Sequence, residues 1–162
     1  MRKGRRLAID VGKARIGLAI SDQDGILASP LATVNRLDDL ADSARAVAAQ
    51  VADYVLLESY VGLPLNLQGL FTPSTQDAID VAHALQTVLE CEIRFIDERM
   101  TTVTAAAQLR AAGKSAKTSR PVIDQAAAVI ILEQALSFEK SSGQNPGTAL
   151  AVYPGTQKGS DA

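Results

Sequence analysis

Four carboxylates stand where a chain can do metal-dependent phosphoryl chemistry: Asp10, Asp97 or Glu98, and Asp124. Asp10 closes a short apolar run, residues 6–9, and Val11-Gly12 and a second apolar run, residues 16–21, follow at once. A carboxylate at the end of a core strand is costly to leave unpaired, so it is expected to meet a cation, a phosphate-bound metal or a strong hydrogen-bond donor. Asp97 and Glu98 end the run 92–96, and Asp124 heads the apolar run 126–132, so further oxygen ligands come from separate elements. That set suits Mg²⁺, which demands hard oxygen ligands in near-octahedral array. Two such ions about 3.5–4 Å apart activate water and stabilise the leaving oxygen of a phosphodiester without a histidine base. His83 is the only histidine, so histidine-free chemistry fits the composition.

Each acid also has a plainer reading. Asp10 can open a hairpin turn, Asp124 can complement a helix dipole, and Asp97 and Glu98 can pair with Arg94 or Arg99. Adjacent strand residues face opposite sides, so only one of Asp97 and Glu98 points at a common site. Glu58, in the run 55–61, is a reserve candidate, and His83 is expected as an ordinary surface or satisfied helix residue.

The elements that must position these acids follow from periodicity and turn chemistry. Strands are expected over 6–10, 16–21 and 25–29, the last ended by Pro30. From Leu37 apolar residues recur every three or four positions, which predicts an amphipathic helix with Asp38 and Asp39 in its first turn. A strand over 53–61 has a nearly continuous apolar start, as in a sheet covered on both faces. Pro64 ends it. A loop over 65–73 leads to Ser74 and Asp77, a capping-box-like start for a second helix. After the strand 92–96, Thr101 or Thr102 is expected to cap a helix that Gly113 ends. Pro121 then fits the first turn of a last helix, apolar on nearly all sides and so largely buried.

The order β-β-β-α-β-α-β-α-α gives an α/β fold: a mixed five-stranded sheet with helices on both faces. Its domain is expected over residues 1–138. Residues 139–162, rich in Ser, Gly, Gln and Pro, are expected as a flexible tail of which residues 149–153 dock weakly.

Bulk properties narrow the function classes. At 162 residues the chain holds one domain, and its single cysteine, Cys91, builds no disulfide framework, which points to a reducing cytoplasm. Asp10 interrupts the only N-terminal apolar stretch, and the longest apolar run has seven residues, so neither a secretory signal nor a membrane span is expected. Net charge is −2, which argues against a generic basic nucleic-acid binder. The cations are nevertheless clustered: residues 1–20 carry Arg2, Lys3, Arg5, Arg6, Lys13 and Arg15 against Asp10 alone, and Arg110, Lys114, Lys117 and Arg120 have no acid among them. Such clusters contact phosphates or are merely solvated. Aromatics make up only 4% of the chain, too few for an extended base-stacking platform.

Four motifs in order, Asp10-Val11-Gly12-Lys13-Ala14-Arg15-Ile16-Gly17, Val61-Gly62-Leu63-Pro64-Leu65-Asn66, Asp97-Glu98-Arg99-Met100-Thr101-Thr102 and Asp124-Gln125-Ala126-Ala127, resemble the YqgF (RuvX-like) family. The resemblance spans about residues 5–138. It implies a ribonuclease H-like fold and a nuclease linked to maturation of the 5′ end of pre-16S rRNA, also described as a Holliday junction resolvase. It makes Asp10, Glu98 and Asp124 the catalytic metal ligands for Mg²⁺ or Mn²⁺, with Asp97 in support. It places Arg15 and Arg99 near the site to engage phosphate; with Lys13, Lys114 and Lys117 of the basic clusters they are the expected contacts for the nucleic acid, a structured RNA or branched DNA, bound by a monomer or homodimer. Glu58-Ser59 departs from the apolar residues usual in that family, and the segment Asp53 to Tyr60 instead resembles the strand bearing the second acid of RuvC-type resolvases. Two other classes compete: a non-catalytic nucleic-acid-binding module, and nucleotide phosphotransfer by an actin-like Asp-x-Gly turn, which needs two domains where this chain has room for one.

Overall fold

The computed structural model describes residues 1–99 and 116–156, and for residues 116–123 the backbone alone. Three strands, β1 (Arg5–Val11), β2 (Arg15–Ser21) and β3 (Ala28–Asn35), form an antiparallel meander. Helix α1 (Leu40–Gln50) leads to β4 (Leu56–Leu63), helix α2 (Pro73–Gln86) to β5 (Glu92–Asp97), and the long helix α3 (Ala116–Ser142) to a two-residue strand β6 (Thr148–Ala149). The sheet has the order β3-β2-β1-β4-β5-β6, with β1, β4 and β5 parallel. It therefore has six strands rather than the expected five, because β6 pairs antiparallel with the edge of β5.

Side-chain alternation splits the core in two. Leu7, Ile9, Val61, Ile93 and Phe95 face α1 and α2. Ala8, Ala19, Tyr60 and Ile96 face α3, which buries Ala128, Ile131, Leu132 and Ala135 against them. Those positions make a single stripe at helical spacing, and the residues between them, Glu133, Gln134, Ser137 and Phe138, are exposed. The helix is thus buried along one face, not all round as its composition suggests.

Several boundaries differ from the sequence expectation for identifiable reasons. Pro30 lies inside β3 rather than ending it: the register with β2 shifts between Leu18 and Ala19, and β3 is an edge strand, where a missing N–H is tolerated. Asp39 is the N-cap of α1, its carboxylate accepting from the Ala41 N–H, so α1 starts three residues after Leu37. Thr72, not Ser74, caps α2 through a reciprocal pair with Thr75, with Pro73 in the first turn. Asp77 is free for another task, a two-pronged ion pair with Arg36 at 2.8 and 3.0 Å. Helix α3 begins at Ala116, which puts Pro121 in its second turn. The helix expected between Thr101 and Gly113 lies outside the described residues.

Beyond residue 138, where a tail is expected, α3 continues to Ser142 and the chain then folds back. Arg94 donates to the carbonyls of Pro146 and Gly147, the Tyr153 carbonyl lies 2.7 Å from His83 Nε2, and Thr156 bonds Asp80. His83 is accordingly a satisfied helix residue, bonded to the returning strap.

At the end of the sheet where β1 and β4 begin, Glu139 accepts from Arg2 Nη2 at 2.6 Å and Arg6 Nη2 at 3.0 Å, while Glu58 accepts from Arg2 at 2.9 Å and the Tyr60 hydroxyl at 2.9 Å. Arg6, Glu58 and Glu139 are almost wholly buried. This cluster takes Glu58 out of contention as a partner for Asp10, which stands at the other end of β1.

Candidate active site

Asp10 is the penultimate residue of β1, within the strand and not in the turn, which is closed by the Gly12 N–H donating to the Arg15 carbonyl at 2.8 Å. Its partner across the β1–β2 pair is Gly17. Directly opposed residues share a face, so the bare Gly17 backbone lies beside the Asp10 carboxylate, on the side covered by α3. A Cβ on Gly17 would sit 2.2 Å from the Asp124 carbonyl oxygen and 2.9 Å from its Cβ. The glycine thus lets α3 descend until Asp124 stands next to Asp10. Gly62 clears the other flank: it follows Val61, the partner of Ile9, and a Cβ there would lie 2.8 Å from both Glu98 Cδ and Ile131 Cδ1. Glu98 comes two residues after Ile96, the β5 partner of Gly62, and so shares its face. Asp97 faces away and accepts from Arg99 Nε at 2.8 Å.

The electrostatics follow from this crowding. Asp10 and Glu98 are hydrogen-bonded to each other. Burial, then the Asp10 charge and hydrogen bond, with a further push from Asp97, raise the Glu98 carboxyl from an ordinary 4.5 to about 9. Asp10 is raised as well, by burial and the nearby Asp124 charge, while the hydrogen bond from Glu98 favours its ionised form. Protonated Glu98 therefore donates to ionised Asp10. Asp124 is held by Arg15, whose Nε donates to Oδ2 at 2.9 Å. Asp97 is kept below the usual carboxylate range chiefly by the Arg99 hydrogen bonds.

A cleft of about 400 Å³ opens over Asp10 and Glu98, lined also by Lys13, Leu65, Asp77 and Arg99. Lys13 is exposed on its rim. Arg36 steadies that rim by donating to the Gly12 carbonyl at 2.9 Å while gripping Asp77 on α2. Lys114 and the side chain of Lys117 lie outside the described residues. Among the described residues, no three His, Cys, Asp or Glu side chains already form a cation-holding group: Asp10 and Glu98 meet, and Asp124 turns to Arg15. The donor set nevertheless fits a hard divalent ion, because two hydrogen-bonded carboxylates compelled to share a proton are relieved by a positive charge. Reasoning from sequence missed Gly17, Gly62 and Arg36. The glycines carried a signal, since a glycine inside a strand marks a close approach; the isolated arginine carried none.

Gly17→Ala tests the packing half of this geometry. The added methyl must push α3 away at Asp124, and such overpacking costs about 1–3 kcal/mol. Urea unfolding should show that loss, and divalent-ion binding followed by calorimetry should weaken with it. A variant with wild-type stability and ion affinity would mean that α3 does not rest on Gly17.

A meander of three strands extended by two parallel ones, with acids at the ends of β1 and β5 and a third acid on the covering helix, defines the ribonuclease H-like class. In agreement, the fold superposes on the structure of T. thermophilus RuvC in complex with Holliday junction substrate with a TM-score of 0.55, 13% identity, and coverage of 88% of this chain and 99% of that one. The chain belongs to the RuvX family, whose model, described as RuvX: Holliday junction resolvase, matches residues 4–138. Relatives named "Putative pre-16S rRNA nuclease" include proteins of Leifsonia xyli subsp. xyli, 50% identical over 91% of this chain and 94% of that one, and Streptomyces coelicolor, 49% identical over 94% and 91%. A Mycobacterium tuberculosis relative of the same name is 48% identical over 99% of this chain and 88% of its own.

Proposed function

We propose that this protein is a metal-dependent nuclease that hydrolyses phosphodiester bonds of structured RNA, acting on the 5′ end of pre-16S rRNA in the cytoplasm. The observation that carries the proposal is the hydrogen-bonded pair of half-buried Asp10 and buried Glu98, beside Asp124, at the floor of an open, cation-rimmed cleft. Asp10, Glu98 and Asp124 would hold Mg²⁺ or Mn²⁺. When bound, such an ion supplies a water acidified toward neutral pH and positive charge for the phosphate oxygens. The chain's own part is to fix and orient. Gly17 and Gly62 admit the acids to one face, Arg15 holds the Asp124 carboxylate, and Lys13 and Arg99 stand on the rim where the strand's phosphates would pass. A site of this kind needs no histidine base, and His83 is engaged elsewhere.

The family model's own description favours a second reading, resolution of four-way DNA junctions, achieved most simply by a homodimer with two sites facing opposite strands. One metal-loaded preparation assayed on a precursor rRNA fragment and on a four-way junction separates the two. Trimming of the RNA with the junction left intact supports the first reading, and paired symmetric cuts in the junction support the second. Loss of the observed cleavage in Asp124→Asn ties it to this cleft, and salt-dependent binding without cleavage of either substrate would overturn both in favour of a non-catalytic module.

A further inference from the structure

The turn between β4 and α2 is built like a recognition element rather than a connector. The Asn66 side-chain Oδ1 accepts from the Gln68 and Leu70 N–H groups at 3.0 and 2.9 Å, while the Asn66 main-chain N–H donates to the Leu70 carbonyl at 3.0 Å and its main-chain carbonyl accepts from the Gly69 N–H at 2.8 Å. Gly69, at φ +78°, completes this closed turn. So rigid a turn nevertheless points its apolar side chains at solvent: Leu67 is 88% exposed, Leu70 62% and Phe71 50%. Single exposed apolar side chains need no explanation, but three in five residues on a fixed scaffold form a patch.

Two further observations say what this patch faces. It adjoins the acidic cleft, since Leu65 lines that cleft and Arg99 Nη1 lies 3.1 Å from the position of a Cβ on Gly69. It is also backed by aromatics. The Phe71 ring lies 5.5 Å from that of Tyr153, which lies 5.6 Å from the buried Phe95, so a continuous row of rings runs from the core to the surface. Tyr153 belongs to the returning strap, after the residues that the family model matches. Of the remaining exposed apolar side chains, Ile26, Leu27 and Val55 lie at the far end of the sheet, away from the cleft.

We propose that this turn seats an unpaired nucleobase adjoining the scissile phosphate, with Phe71 as the stacking surface and Leu70 and Leu67 as its apolar border. This rests on the nuclease reading and narrows its substrate to RNA with a single-stranded stretch at the cut. Stacking suits the geometry because every base has an apolar face, and the base's own phosphates are left to Lys13 and Arg99. A duplex, whose bases stack on one another, presents no such face.

The test is binding without cleavage, in EDTA, of short RNAs carrying 2-aminopurine in an unpaired overhang or inside a duplex. Wild type should quench the overhang probe and leave the duplex probe unchanged. Phe71→Ala should abolish the quench and weaken overhang binding on the order of tenfold, Phe71→Leu should do so while keeping the turn packed, and Phe71→Trp should retain it. An abasic site in place of the probe should cost wild type the same tenfold and cost Phe71→Ala nothing. Equal overhang affinity in wild type, Phe71→Ala and Phe71→Leu, or an equal abasic penalty in wild type and Phe71→Ala, overturns the proposal. RNA cleavage with these binding results unchanged by Phe71 removes the base seat alone, whereas a quench without any metal-dependent cleavage removes the nuclease reading alone.

Discussion

Asp10→Asn is expected to abolish cleavage while making the ion-free protein more stable. The loss follows from removing a ligand whose bound ion is worth several kcal/mol of transition-state stabilisation, about a thousandfold or more in rate. The gain follows from removing the Asp10 charge, which together with burial compels Glu98 to keep its proton. In the folded protein Glu98 holds its proton to about pH 9, whereas in the unfolded chain it releases it near its ordinary 4.5. Between those values the folded state binds more protons than the unfolded one, so the ion-free protein loses stability as pH rises through that window. A carboxamide at position 10 removes the charge that opposes Glu98 ionisation, flattening the slope and raising stability at pH 8 by about 1–2 kcal/mol, as relief of a strained functional site commonly does. Thermal melts of wild type and variant in EDTA across pH 5–9 measure both effects. Added Mg²⁺ or Mn²⁺ should raise the wild-type midpoint and leave that of Asp10→Asn nearly unmoved. A variant less stable than wild type at pH 8, with an unchanged pH slope, would show that the two acids do not share a proton.

Glu139→Ala is expected to produce the largest loss of stability from a single substitution. It removes one of the two carboxylates that hold Arg2, which keeps Glu58, and the carboxylate paired with the fully buried Arg6, leaving that guanidinium in the core with only the Gly4 and Arg2 carbonyls as acceptors. Breaking a buried pair in this way costs about 3–5 kcal/mol. The cost should appear as a lower urea midpoint at an unchanged slope. Replacing both partners, Arg6→Met with Glu139→Leu, should recover much of it, because a well-packed apolar pair avoids the desolvation penalty altogether. A double variant as unstable as Glu139→Ala would mean that the loss comes from packing rather than charge.

Both variants bear on what could be recognised from the order of residues alone. The alternation of faces along a strand left one of Asp97 and Glu98 for the cleft, and the order of strands and helices followed from apolar periodicity. Glu58 could not be judged that way. Its partners, Arg2 and the Tyr60 hydroxyl, with Glu139 alongside, belong to a cluster joined across most of the chain, and no local pattern announces such pairings. Pro30 misled for a related reason: whether a proline ends a strand depends on whether that strand lies at an edge, a property of the assembled sheet. Of the strap only a weak docking of residues 149–153 was legible, because its composition resembles a loose tail and its order derives from Phe71, Phe95, His83 and Asp80, all supplied by other elements.

Helix α3 carries Asp124 beside the cleft and Glu139 in the buried ionic cluster, fifteen residues and about 22 Å apart along one rod. A slip of one residue along that rod would turn every side chain by about 100° and remove both acids from their partners together. The ionic cluster at one end therefore serves as the datum from which the position of the functional acid at the other is set. A change that loosens Arg6 or Glu139 is therefore expected to reach the cleft as an error of register, read as divalent-ion affinity lost together with stability.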